Sequence, residues 1–280
     1  RNEFDTQRKI YDAFNGRNDE NSVWIRDGLC RLVANVLFVE DSRWPNMFHP
    51  RVQAYNAFVF EALTSEERQA FMTIYNDYFY ERHNEMWGAL AYRKLSMVLE
   101  RTNMLVTAED LGVLPDCVQP TLDALRILTL EVQTLPKQHG LEFAHLEANP
   151  YLSVATISTH DMPPLRLWWQ ERPEEAQHYY RDRMQKEGRP PVALTTTLAE
   201  EIVSRHLYSP SMLCLLSLQD WLAVDAEMRN PDPRSERINI PGDCYNRWSY
   251  RMHVNIEQLI ADEQLNKKLR TIVERSKRNV

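Results

Sequence analysis

Four apolar runs of strand length, each ending in acidic or amide residues, constrain this chain more than any other feature. They are Met104–Ala108, Ile127–Gln133, Leu152–Ser158 and Met212–Leu218. They read as non-amphipathic strands, despite Thr129, Glu131 and Gln133 in the second, so neither face of the sheet they build is expected to meet water. Helical stretches fall between them: Pro115–Leu125, then Pro164–Gln170, Pro173–Met184 and Thr197–His206. Buried strands separated by helices predict a parallel sheet covered on both faces, an α/β fold. Each run also delivers polar groups at its C-terminal end: Glu109-Asp110, Glu131 with Gln133, His160-Asp161 and Gln219-Asp220. That is the edge where α/β barrels and open α/β sheets keep their active sites. One acidic strand end is most simply a loop start or helix cap. Four in succession predict carboxylates that face one another across a cleft.

The residues ahead of the first run are organised differently. Ser22–Ala34 reads as a helix and Val36–Val39 as a short buried strand, followed by a loop over Arg43–Arg51. Thr64, with Glu67 three positions on, is the signature of a capped helix start. Asn84–Arg101 predicts a longer helix whose Trp87, Ala91, Leu95 and Val98 share one face and pack on a core.

Several function classes are disfavoured. The chain has 7 Gly in 280 residues and neither GxGxxG nor GxxxxGK[ST], which argues against a phosphate-cradling loop. Lys and Arg number 33 against 40 Asp and Glu, a net charge of −7 that argues against a nucleic-acid partner. No apolar run approaches the roughly 18 residues of a membrane span. Cys30, Cys117, Cys214 and Cys244 form no CxxC pair and are expected to be free, buried or partly buried thiols in a reducing cytoplasm. His139 and His145 are the nearest approach to a metal-ligand spacing, and no HxxxH occurs, so no metal and no cofactor is expected. Arg1–Asp5 has no apolar segment of a secretory signal and no initiator Met, so the chain is expected to be part of a longer, cytoplasmic protein.

A carboxylate cluster at a sheet edge suits either divalent-cation binding or glycosidic cleavage, which needs one protonated acid and ionised carboxylates beside an oxocarbenium-like centre. Trp168, Trp169, Trp221 and Trp248 lie within or shortly after the strand ends. They favour sugar, whose apolar ring faces stack on indoles, although each alone is more simply a core residue.

Four segments, in order, carry a resemblance. They are Thr107-Ala108-Glu109-Asp110-Leu111-Gly112-Val113, Ser158-Thr159-His160-Asp161-Met162, Leu218-Gln219-Asp220-Trp221-Leu222, and Glu236–Gly242 followed by Asn246-Arg247-Trp248-Ser249-Tyr250-Arg251. Together they resemble the motifs of the 4-α-glucanotransferases, the amylomaltases and disproportionating enzymes of glycoside hydrolase family 77. Met162 after His-Asp, where typical bacterial amylomaltases have Asn, is similar to the plant cytosolic subtype and its bacterial relatives. So are Glu3–Arg8, Asp77–His83 and Ser209–Met212.

The resemblance implies the C-terminal portion of a (β/α)8 TIM-type barrel with a mainly helical insertion on its N-terminal side. Residues 1–85 would be the insertion, and 86–280 the second half of the barrel with C-terminal helices. It implies Glu109 as general acid/base, required to hold a proton at rest, and Asp161 as the carboxylate that grips sugar hydroxyls and favours the distorted ring. His160 would bind a hydroxyl in the same subsite, while Asn246 and Trp248 would touch acceptor sugars. Asp110 is expected to be structural, as a helix cap or by holding the strand-end loop. The family's nucleophile, an Asp in an Arg-x-Asp segment, has no match. Arg26-Asp27 lacks the spacer, Arg181-Asp182-Arg183 falls in an expected surface helix, and Arg229-Asn230-Pro231-Asp232 has the wrong spacing. It is expected before residue 1. The implied activity is retaining glucanotransfer on maltose, maltooligosaccharides or larger α-glucans. An α-glucan hydrolase of the same clan and a non-catalytic glucan-binding fragment stand as alternatives.

Overall fold

A computed structural model describes residues 3–278 apart from Val113, His139 and Cys244. The last residue of the first motif, one of the two spaced histidines and the fourth thiol therefore lie outside the described residues. Cys30 and Cys214 are free thiols, and Cys30, Cys117 and Cys214 are all partly buried. No helix among the described residues is long and apolar enough to cross a membrane. The chain divides into two compact units, residues 1–90 and 91–280.

The first unit holds α1 (Gln7–Ala13), α2 (Glu20–Ala34), the antiparallel hairpin of β1 (Phe38–Glu40) and β2 (Phe48–Pro50), α3 (Phe58–Glu61) and α4 (Ser65–Asn76). Helix α2 starts ahead of the expected Ser22 because the Asp19 carboxylate accepts from the Ser22 N–H at 2.9 Å and caps the turn. The Thr64–Glu67 capping box forms as the sequence predicts. The core of this unit is aromatic: Phe71 and Tyr75 are buried, and Phe38 and Phe60 meet Phe71 with ring centroids 5.3 and 5.7 Å apart. The expected buried strand at 36–39 is instead one arm of the hairpin, with Val39 half exposed, since a two-stranded ribbon has little to cover its faces.

The boundary between the units falls inside α5 (His83–Leu99). The helix forms where its periodicity predicts, but none of its residues is buried, and Trp87 and Val98 stay open to solvent. The expected packing of that stripe is not present among the described residues.

The second unit is built on a parallel sheet of β3 (Thr129–Val132), β4 (Ser153–Thr156) and β5 (Leu213–Cys214), in that order. The first apolar run joins it only briefly. Leu128 N–H donates to the Val106 carbonyl and Ala108 N–H to the Leu128 carbonyl, beside a parallel bridge from Thr107 to Leu128. Met104 and Leu105 are exposed rather than buried, because no described strand flanks them on the other side. The fourth run also pairs for less than its length. Ser217 caps α10 (Leu218–Leu222), which pulls Leu218 out of the strand and into a helix.

Helices cover the sheet: α6 (Val118–Leu125), α7 (Leu165–Glu171), α8 (Pro173–His178), α9 (Thr196–Leu207), α11 (Ile256–Ala261) and α12 (Glu263–Arg275). The main core lies here, with Ile157, Leu165, Ile202, Val203, Leu222 and Leu265 among its members. Trp168 and Trp169 belong to it. Their indole N–H groups are committed to Glu175 Oε2 at 3.0 Å and the Pro191 carbonyl at 2.9 Å. They are core residues and not sugar platforms, and Trp221 also packs against that core.

His206, on the buried face of α9, gives this unit an acid sensitivity. Its Nδ1–H donates to the Ile202 carbonyl at 2.8 Å, its Nε2 has no partner, and burial pushes its pKa down to about 4. The folded state therefore holds it neutral, while the unfolded chain protonates it at the ordinary value of 6.5. Its contribution is fully present above pH 6.5 and is lost as pH falls toward 4, at a cost of roughly 3 kcal/mol. Thermal melts at pH 7 and pH 5 should show a smaller acid penalty for His206→Leu than for the wild type. Equal penalties would remove His206 as the cause.

Candidate functional site

The expected gathering of all strand-end carboxylates across a cleft is only partly met, because the sheet uses most of them internally. Asp110 is buried; its carboxylate accepts from the Leu130 N–H at 2.8 Å and from Lys137 Nζ at 2.6 Å. Of the two structural roles open to it, holding the strand end is the one realised, since Cys117 stands at the start of α6. Lys137 also reaches Glu131 Oε1 at 2.7 Å, so that acid too is spoken for. Gln133 accepts from the Tyr179 hydroxyl at 2.6 Å. Asp220 is fully buried; it accepts from the Leu165 N–H at 3.2 Å and the Ser217 hydroxyl at 2.7 Å, and burial raises its pKa to about 6. These groups are buried or largely buried and are committed to partners within the unit.

Two acids do reach solvent. Glu109 follows the Thr107–Leu128 pairing and is exposed. Asp161 follows β4 after a short turn and is partly exposed. Strand β3 lies between the two strand lanes, which are therefore about two inter-strand spacings, or roughly 10 Å, apart. Both leave the C-terminal edge of the parallel sheet.

Around Asp161 the structure assembles four of the five expected site residues. Asn239 Nδ2 donates to Asp161 Oδ1 at 2.5 Å, and Asn246 Nδ2 donates to Asn239 Oδ1 at 2.7 Å. His160 Nε2 lies 3.5 Å from Asp161 Oδ2. The Trp248 ring sits 4.9 Å from the His160 ring, tilted by 49°, with the indole 62% exposed. The result is a carboxylate, an imidazole, two side-chain amides and an open aromatic face on one surface. Those are the groups that hold a sugar: acceptors and donors for hydroxyls, and an apolar plane for the ring. Among the described residues, no hydrogen bond or ring contact joins Glu109 to these four.

Asn239 is the member not singled out from sequence, although it stands inside the Glu236–Gly242 motif. Only the folded chain shows that it links Asp161 to Asn246. A small hollow of about 60 Å³ lies beside the cluster, lined by Ser158, Thr159, His160, Ser217, Gln219 and Ile238. A larger concavity, about 740 Å³, lies between α10 and α12 and is lined by Leu218, Trp221, Leu269 and Arg278 among others. Size alone would favour it. It holds none of the strand-end groups, and Arg278 there already donates to the carbonyls of Leu207, Ser209 and Ser211. The chemistry therefore points to the smaller hollow. No three His, Cys, Asp or Glu side chains among the described residues are placed to hold a metal ion.

Comparison with known proteins agrees on one family. A family model described as 4-alpha-glucanotransferase matches residues 23–257. The 4-alpha-glucanotransferase DPE2 of Oryza sativa subsp. japonica is 29% identical over 98% of this chain and 30% of its own length. A 4-alpha-glucanotransferase of Chlamydia muridarum is 33% identical over 64% of this chain and 34% of its own length. Among solved structures, an amylomaltase from Streptococcus agalactiae in complex with acarbose superimposes with a TM-score of 0.52 at 17% identity, over 69% of this chain and 35% of that one. At that identity the likeness concerns the fold. The chain spans about a third of the length of these relatives.

Proposed function

Because the chain belongs to the 4-alpha-glucanotransferase family, we propose that it carries the acid/base side of a site that moves glucosyl or maltooligosaccharide units between α-1,4-glucans. On this reading its parallel strands are the second half of a (β/α)8 barrel, with residues 1–85 an insertion. The observation that carries the reading is the Asp161–Asn239–Asn246 chain of hydrogen bonds with Trp248 against His160, on the sheet edge that also delivers Glu109.

The reaction follows from the chemistry of the groups. Glu109 gives its proton to the glycosidic oxygen as the bond breaks, and the leaving glucan departs with a free hydroxyl. A carboxylate outside the residues assigned here attacks the anomeric carbon and forms a glycosyl ester. Retention of configuration requires it about 5–5.5 Å from the acid. Asp161, ionised, balances the positive charge that builds at the ring, and holds ring hydroxyls with His160. In the second step Glu109, now a carboxylate, takes the proton of an incoming sugar hydroxyl, which attacks the ester and restores the starting site. Trp248 offers that acceptor a stacking face, and Asn246 offers an amide.

The test is the product pattern from maltotriose with the intact natural protein. Maltotetraose and longer products alongside glucose are the expected result. Glucose and maltose alone would instead identify an α-glucan hydrolase. The 280-residue chain by itself is expected to bind maltoheptaose without turning it over. Turnover by this chain alone would mean that its nucleophile has been misassigned.

A further inference from the structure

The segment that carries Asn239, Asn246 and Trp248 has almost no regular secondary structure between Arg237 and Asn255. A side-chain anchor holds its start, and at its far end His253 Nε2 donates to the Met228 carbonyl at 2.8 Å. Glu236 is 1% exposed and Arg166 is 7% exposed, and Arg166 Nη1 lies 3.1 Å from Glu236 Oε1. The same nitrogen donates to the Asn230 carbonyl at 2.7 Å, and Gln219 Nε2 donates to the Glu236 carbonyl at 3.2 Å. Arg166 belongs to α7, which begins four residues after Asp161. Glu236 stands three residues before Asn239. The pair thus joins the two segments whose side chains meet in the Asn239–Asp161 hydrogen bond.

We propose that the buried Arg166–Glu236 pair is a positioning clamp, which sets the Asn239 amide against the Asp161 carboxylate and so fixes the orientation of that carboxylate in the site. The proposal rests on reading the Asp161 cluster as the sugar site. Two further observations support it. A bond of Arg237 Nη1 to Glu171 at 3.0 Å ties the same segment to the same helix from outside. The Glu236 carboxylate is buried, and the Asn230 backbone, whose carbonyl accepts from Arg166, lies against it as well.

The clamp also brings a titration. Burial raises the Glu236 pKa to about 7, opposed by the Arg166 charge. Asp220 from α10 and Tyr250 from the following loop also face it, while Arg229 and Asp232 act on Arg166. Above neutrality the carboxylate is ionised and the pair is fully formed. Below it the carboxyl is neutral and holds the guanidinium less firmly.

The experiment reads the clamp without any sugar. In the 15N-labelled intact protein, the side-chain amide signals of Asn239 report its bond to Asp161. The double variant Arg166→Met with Glu236→Leu replaces the pair by apolar side chains and is expected to fold. It should move the Asn239 signals toward those of a solvent-exposed amide, and in the intact protein it should lower kcat on maltotriose at least tenfold with KM changed less than threefold. Glu236→Gln holds the pair in its neutral state at every pH, so its Asn239 signals should match those of the wild type below neutrality. It should also abolish their pH dependence near neutrality. Unmoved Asn239 signals in the double variant would overturn the clamp, whatever the protein does to glucans. Moved signals in a protein that never acts on maltotriose would leave the clamp standing and remove the sugar reading instead.

Discussion

Glu109→Gln should cut glucan transfer by about 10²–10⁴-fold while maltoheptaose still binds. The substitution keeps the size of the side chain and removes the proton that the proposed role has it give to the leaving oxygen. Position favours the effect: Glu109 is exposed at the C-terminal sheet edge, while its neighbour Asp110 is buried and bonded to Leu130 and Lys137. The measurement that isolates the role is a comparison of leaving groups. Maltosyl fluoride needs no proton to depart, so the variant should consume it far better, relative to wild type, than it consumes maltotriose. A loss below tenfold on maltotriose, or an equal loss on both substrates, would take Glu109 out of the acid role.

Asp161→Ala should be nearly as costly, at about 10²–10³-fold in kcat, the range seen when one electrostatic group aimed at developing charge is removed. Here two effects combine. The carboxylate proposed to face the sugar ring is lost, and Asn239 Nδ2 is left without its acceptor. Asp161→Asn separates them, because it retains an oxygen for Asn239 and removes only the charge. Turnover should stay low in Asp161→Asn while the hydrogen-bonded chain to Asn246 persists. Recovery of turnover in Asp161→Asn would mean that the group serves only to hold Asn239. Stopped-assay kcat values on maltotriose for the two variants give the answer.

The order of β3, β4 and β5 with α6, α7, α8 and α9 was legible because period and run length are local properties. Ser217 shows the limit: the run Met212–Leu218 looks continuous, yet a hydroxyl that caps Asp220 turns its end into a helix. The site was legible in part, and the reason is again physical. Asp161 and Asp220 both follow apolar runs and look alike in sequence. One reaches solvent, and the other is sealed by the Leu165 N–H and the Ser217 hydroxyl. Whether a strand-end acid points inward depends on donors up to 55 positions away. The same holds for Asn239, whose partner Asp161 is 78 positions distant. Exposure of Met104 and Leu105 was not legible either, because an apolar run does not say how many neighbours it will find.

The supply of the site's groups from two kinds of backbone has an evolutionary consequence. Asp161 leaves a strand locked in register with its neighbours on both sides, so its place tolerates little drift. Asn246 and Trp248 ride on an irregular strap pinned chiefly near Glu236. Such a strap can lengthen, shorten or trade its aromatic tip without disturbing the strand beside it. On the proposed function, changes in that strap would alter which glucans are accepted while Asp161 keeps its place, and a laboratory library confined to residues 240–250 would test it.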